Sequence, residues 1–226
     1  MSSQLSWSVH LSILLAVLAI AGTLSAILRW RVQWGRVVRF SLASFLATNE
    51  LIWYGYRLRQ EGFHFPEMLP LQLCDLTLWL TVAAALALKP GVYEIAYFCG
   101  LGGSGMALLT PDLWAPVWSY PTAYFFLSHG FVVITLVALT AGRLTRPRPG
   151  SVWRAFGILN IYAAGVGLFD AVFNTNNMYL CRKPAGSSLL DYFGPWPAYV
   201  LVAEAFALTL FWLLYLPFRS DRAASS

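Results

Sequence analysis

The sequence predicts an all-α polytopic membrane helix bundle, a single integral domain of about seven transmembrane helices. Three observations predict it. Of the residues, 58% are hydrophobic and only 11% charged, with a mean hydropathy of +0.62, far from the makeup of a water-soluble domain. Apolar runs of about twenty residues, the length that crosses a bilayer, recur along the chain. Most charged residues fall between those runs, so the net charge of +5 reports topology and not affinity for nucleic acid.

The first run, residues 8–28, has an uncharged front and is followed by arginines. That pattern suits a retained helix better than a cleaved signal peptide. A second run covers 37–56 and carries Asn49 and Glu50 inside it. The third is expected over 70–88, with Pro70 in its first turn, where a missing N–H costs nothing. The fourth, 93–109, contains Gly100, Gly102, Gly103 and Gly105. Small residues let membrane helices approach closely, and the run lacks the lysine of a phosphate loop. The fifth run, 121–142, holds His129; the sixth, 153–174, holds Asn160 and Asp170; the seventh, 197–217, holds Glu204. The tail from 220 to 226 is expected to be disordered. Three cysteines, Cys74, Cys99 and Cys181, make no disulfide framework, and no metal-ligand spacing or cofactor motif is present.

Eleven of the fifteen lysines and arginines fall on one side of such a bundle, and only Arg57, Arg59, Arg182 and Lys183 on the other. The positive-inside rule then places the amino terminus outside and the carboxyl terminus in the cytoplasm of a multi-pass cell-membrane protein. Cys74, His129, Glu50, Asp170 and Glu204 all fall within roughly 6–12 Å of the outer surface, at 1.5 Å per helical residue. Intramembrane polar groups usually face the bundle interior, so one polar cavity is expected at that depth.

The stretch FHFPEMLPLQLCDLTLWLT, residues 63–81, brings Gln72, Cys74 and Asp75 to the mouth of a helix. A cysteine and a histidine at one depth permit acyl transfer, with His129 taking the thiol proton and Cys74 attacking an ester. A helix N-terminus favours the thiolate. Asp170 or Glu50 is placed to fix the histidine tautomer, and Gln72 or Asn174 to donate to an oxyanion. Each residue also has a plainer reading. Cys74 is a small core hydrophobe, His129 a bridge between helices, Asp75 a cap, and Glu50 and Glu204 structural groups or a proton relay. Asn160 reads as a helix–helix hydrogen bond.

The segments LPLQLCDL at 69–76, GLGGSGMALLTPD at 100–112 and NNMYLCRKPAGSSLLDYFGPWPAY at 176–199, with His129, carry a resemblance. Together they resemble the bacterial YwaF-type integral membrane family. That family is similar to the eukaryotic transmembrane protein 164 acyltransferase group and more distantly to the androgen-induced-gene hydrolases. The resemblance implies a membrane acyltransferase or lipid esterase with Cys74 as nucleophile and His129 as base. The hydrolase relatives use a threonine nucleophile with a histidine. The implied partner is a phospholipid or other acyl-lipid. From its place in the loop before the seventh run, Lys183 is expected to meet the headgroup phosphate. The alternative class is a small transporter or lipid-binding protein that uses Glu50, Asp170 and Glu204 without acyl chemistry. Those two classes differ in whether they need the Cys74 thiol.

Overall fold

The computed structural model describes residues 5–184 and 188–219, so the tail expected at 220–226 lies outside the described residues. Seven long helices account for most of them: α1 (Trp7–Trp30), α2 (Gly35–Glu61), α3 (Leu73–Ala87), α4 (Pro90–Leu109), α5 (Tyr120–Ala141), α6 (Ser151–Phe173) and α7 (Ala198–Tyr215). No strand occurs among the described residues. Five of the seven, α1, α4, α5, α6 and α7, are long and apolar enough to cross a membrane. The chain is a multi-pass membrane protein.

The other two helices depart from that rule for different reasons. α2 has the length, with 27 residues, but carries Asn49 and Glu50 in its middle. α3 has only 15 residues, about 22 Å of helix against a hydrocarbon core of about 30 Å. It also starts later than its sequence suggests. Pro70 and Leu71 precede the helix, and Gln72 is its N-cap. The cause is a reciprocal capping box: the Gln72 side chain accepts from the Asp75 amide, and the Asp75 carboxylate accepts from Gln72 N at 3.1 Å.

α5 is the hub and packs against α1, α2, α3 and α4. Close approach depends on small residues. A Cβ at Gly100 would lie 2.7 Å from Leu136 Cδ1, and one at Gly130 would lie 3.2 Å from Val17 Cγ2. Gly100 closes a fully buried π-helical turn, Ala96–Gly100, through which α4 packs against α3 and α5. By contrast, Gly105 has no neighbour within 4 Å, so only part of the glycine run serves packing. α6 and α7 contact each other and α4.

The arginine-rich end is fastened by Glu94, whose side chain is 1% exposed. Arg148 Nε donates to its Oε1 at 2.7 Å, and Arg154 Nη2 to its Oε2 at 2.9 Å. These bonds tie the 142–150 loop and the start of α6 to α4, and they hold the Arg148 guanidinium above its ordinary pKa. Arg39 Nη1 donates to Ala85 O at 2.7 Å, which serves the C-terminal carbonyls of α3.

Candidate functional site

The short third helix creates the site. Its C-terminal end turns into α4 at Lys89 and Pro90, and its 15 residues make it about 8 Å shorter than a hydrocarbon core is thick. Cys74 sits in the first turn of α3. Around it is a cavity of about 550 Å³. Gln72, Cys74 and Asp75 of α3, Tyr124, Ser128 and His129 of α5, and Trp53 and Arg57 of α2 all line it. A smaller cavity of about 260 Å³ shares Gln72, Cys74, Ser104, His129 and Tyr179 with the first and adds Thr77 and Met178. Cys74 keeps solvent-accessible surface, and the cavities explain where an interior thiol gets it.

The histidine is oriented by its own helix. His129 Nδ1 lies 2.8 Å from Phe125 O. A carbonyl can only accept, so Nδ1 carries the proton and Nε2 holds the lone pair of the neutral ring. The ring also packs on Phe125, with centroids 4.4 Å apart. Among the described residues Cys74 and His129 share the cavity wall without a hydrogen bond to each other.

Two adjacent residues of α2 fix the rotation of α5. Asn49 Nδ2 donates to Ser128 Oγ at 2.9 Å, and Tyr124 Oη donates to Glu50 Oε2 at 2.6 Å. Because Ser128 accepts from Asn49, its own hydroxyl hydrogen is not used in that bond. Trp53 stacks on Tyr124 with centroids 4.2 Å apart, forming an aromatic wall.

The loop after α6 closes one side. Met178 N donates to Gln72 Oε1 at 2.8 Å, and Gln72 Nε2 donates to Asn177 Oδ1 at 3.4 Å. Asn177 Nδ2 in turn donates to Asp170 Oδ1 at 2.7 Å. Further along, Trp196 Nε1 donates to Leu180 O at 3.1 Å and Tyr199 Oη to Tyr179 O. Met178 and Tyr179 are thereby pinned against the cavities. Burial pushes the Tyr179 phenol above its ordinary pKa, so it stands there as a neutral hydroxyl.

The polar residues expected in one cavity occupy several places. Cys74, His129, Gln72 and Asp75 line the main cavity. Glu50 is fully buried behind it, in contact through Tyr124. Asp170 anchors the loop through Thr175 and Asn177. Asn174 is exposed at the left-handed C-cap of α6. Glu204 accepts from Asn160 Nδ2 at 2.9 Å, the α6–α7 bridge expected of Asn160. Lys183 Nζ is 3.5 Å from Asp191 O and 5.6 Å from the Tyr199 ring centroid, outside the cavity lining. Sequence reading missed Tyr124, Ser128 and Arg57. The signal that could have found the first two was their place one turn apart beside His129.

A family model described as the TMEM164 family matches residues 1–215. No curated protein matches the chain, and no solved structure does.

Proposed function

Since this chain belongs to the TMEM164 family, we propose that it is a membrane acyltransferase or lipid esterase that works through a Cys74 thioester with His129 as base. One observation carries the reading: the thiol and the imidazole line the same two cavities, with His129 Nδ1 engaged so that Nε2 is the basic nitrogen. His129 Nε2 takes the Cys74 proton as Sγ attacks the ester carbonyl of a phospholipid. The tetrahedral intermediate collapses, the C–O bond breaks, and the imidazolium returns the proton to the departing lysolipid oxygen. An acceptor alcohol, or water, then gives its proton to Nε2 and attacks the thioester, and the Cys74 thiol is restored.

The oxyanion needs donors near Sγ. The first-turn amides of Leu73 and Cys74 have no partner within the helix, because α3 begins there. They take the role expected of Gln72, whose Nε2 is directed to Asn177. Ser128 and Tyr179 hydroxyls stand in the same wall. Arg57, also in the lining and paired with Glu61 at 3.1 Å, turns its remaining donors to a lipid phosphate.

The test is acyl-enzyme trapping in nanodiscs with a labelled phospholipid. The expected product is a hydroxylamine-sensitive adduct on Cys74, lost in Cys74→Ser thiol chemistry and slow to form in His129→Ala. Undiminished acyl transfer by Cys74→Ala overturns the reading.

A further inference from the structure

A second cavity, of about 910 Å³, lies at the arginine-rich end of the bundle and shares no residue with the Cys74 site. Arg29 from the last turn of α1 and Arg143 and Arg146 from the turn after α5 line it, with Thr140 and Thr145. The rest of its lining is mostly apolar and includes Leu101, Val137 and Phe218, and among the described residues no carboxylate lines it.

Membrane topology explains why arginines gather at this end. It does not explain why Arg29 and Arg143, from two different elements, line one cavity. Helix capping does not explain it either. Ala138 O accepts from Gly142 N at 2.8 Å, Leu139 O from Leu144 N at 3.0 Å, and Thr140 O from Arg143 N at 3.0 Å. Only Ala141 O takes a side chain, Arg29 Nε at 2.6 Å, which uses one of that guanidinium's five donors. Arg143 makes no side-chain hydrogen bond or ion pair among the described residues, whereas Glu94 meets Arg148 and Arg154, and carbonyls meet Arg39. The cavity thus concentrates positive charge beside apolar surface.

We propose that this cavity binds the headgroup of an anionic phospholipid. Arg29 and Arg143 pair with the phosphate, where planar guanidinium donors match its oxygens. Leu101, Val137 and Phe218 take the adjoining apolar part of the lipid. Free phosphate shares the charge but has no use for that apolar wall. The site stands apart from Cys74, so it holds whether or not acyl transfer occurs there.

The test uses the full chain in nanodiscs of phosphatidylcholine containing a minor fraction of phosphatidylglycerol, with bound lipid counted by native mass spectrometry after transfer to detergent. Wild type should retain phosphatidylglycerol well above its bulk fraction. Arg29→Gln with Arg143→Gln should reduce that retention by on the order of tenfold, the worth of one lost charge-assisted contact. Arg31→Gln with Arg36→Gln removes the same charge from the same end, outside the lining, and should leave retention unchanged. If Arg29→Gln loosens the end of α5, Arg143→Gln alone carries the test. Equal losses from both pairs would mean diffuse surface attraction and overturn the site. Saturable binding of inorganic phosphate to the arginines without phosphatidylglycerol enrichment would overturn the lipid assignment.

Discussion

Tyr124 Oη donates a 2.6 Å hydrogen bond to Glu50 Oε2, and the carboxylate that accepts it is fully buried with its second oxygen unpaired. Tyr124 makes the short hydrogen bond to this carboxylate, and the Tyr54 hydroxyl, on the same helix as Glu50, also faces it. Tyr124→Phe removes the short bond at nearly constant volume. The expected loss is about 1–3 kcal/mol, the cost of an unsatisfied buried polar group. Glu50→Gln with Tyr124→Phe should lose less than the sum of the two single changes, because the residues share one contact. Thermal unfolding in detergent measures this, and strict additivity would mean that the hydrogen bond does not couple α2 to α5.

The Glu94 cluster predicts an unequal response. Its carboxylate is 1% exposed, while the side chains of Arg148 and Arg154 are 51% and 46% exposed. Either arginine can hydrate when its partner is lost; Glu94 cannot. Arg148→Ala with Arg154→Ala together should therefore destabilise more than Glu94→Gln, since only the pair leaves a buried charge uncompensated. Either arginine alone should cost much less, as the other still holds the carboxylate. The ranking of melting temperatures decides it.

Loop access gives a third prediction. Asn177 joins Gln72 to Asp170, and through that chain Met178 and Tyr179 are held at the cavities. Asn177→Ala should speed labelling of Cys74 by a bulky lipid-like maleimide while changing labelling by a small alkylating reagent far less. An equal acceleration of both would mean that the helix has loosened, and no acceleration that the loop does not limit entry.

Orientation is a fourth. If the arginine-rich end is cytoplasmic, as the positive-inside rule predicts, Cys181 should face outside. In a chain with Cys74→Ser and Cys99→Ala, Cys181 should react with an impermeant maleimide on intact cells. A cysteine introduced as Ser151→Cys would be a poor counterpart, because Ser151 is buried; Arg146→Cys is exposed and should react only after lysis. The reverse pattern inverts the bundle.

Much of this architecture was legible from hydropathy alone. Each apolar run became a helix within a few residues of its expected bounds, because a bilayer-length segment has no other way to satisfy its backbone. The cavity at Cys74 was less legible. It depends on α3 being short, and that follows from the pairing of Gln72 with Asp75, which moved the helix start past Pro70. Direction around the helix axis was not readable from the sequence. Glu204 and Asp170, expected in one cavity with Cys74, turn toward Asn160 and Asn177, because packing sets rotation. The partners of Glu94 were hidden for a related reason. Arg148 and Arg154 are 54 and 60 residues away in sequence, and nothing local marks the pairing.

The last prediction concerns the division of labour between Cys74 and His129. If the imidazole acts as base, its loss should slow acyl-enzyme formation while leaving lipid binding intact, because most of the wall, Trp53, Arg57 and Tyr124 included, stays in place. General-base catalysis contributes about 10²–10⁴-fold, so His129→Ala should lower kcat by that order with KM little changed. The Nδ1 bond to Phe125 O supports the ring's orientation from within α5, so His129→Ala removes no bond between helices. The variant should therefore fold, which separates a chemical defect from a structural one. His129→Gln adds a control: its amide can reach polar groups in the cavity but cannot take a proton at neutral pH, and it should be as slow as alanine. If glutamine restores the rate, His129 positions the cavity wall and another group removes the thiol proton. A unit slope of log rate against pH in His129→Ala, where hydroxide must now ionise Cys74, would fit the assigned role. The same slope in the wild type near neutral pH would mean that the histidine was never the base.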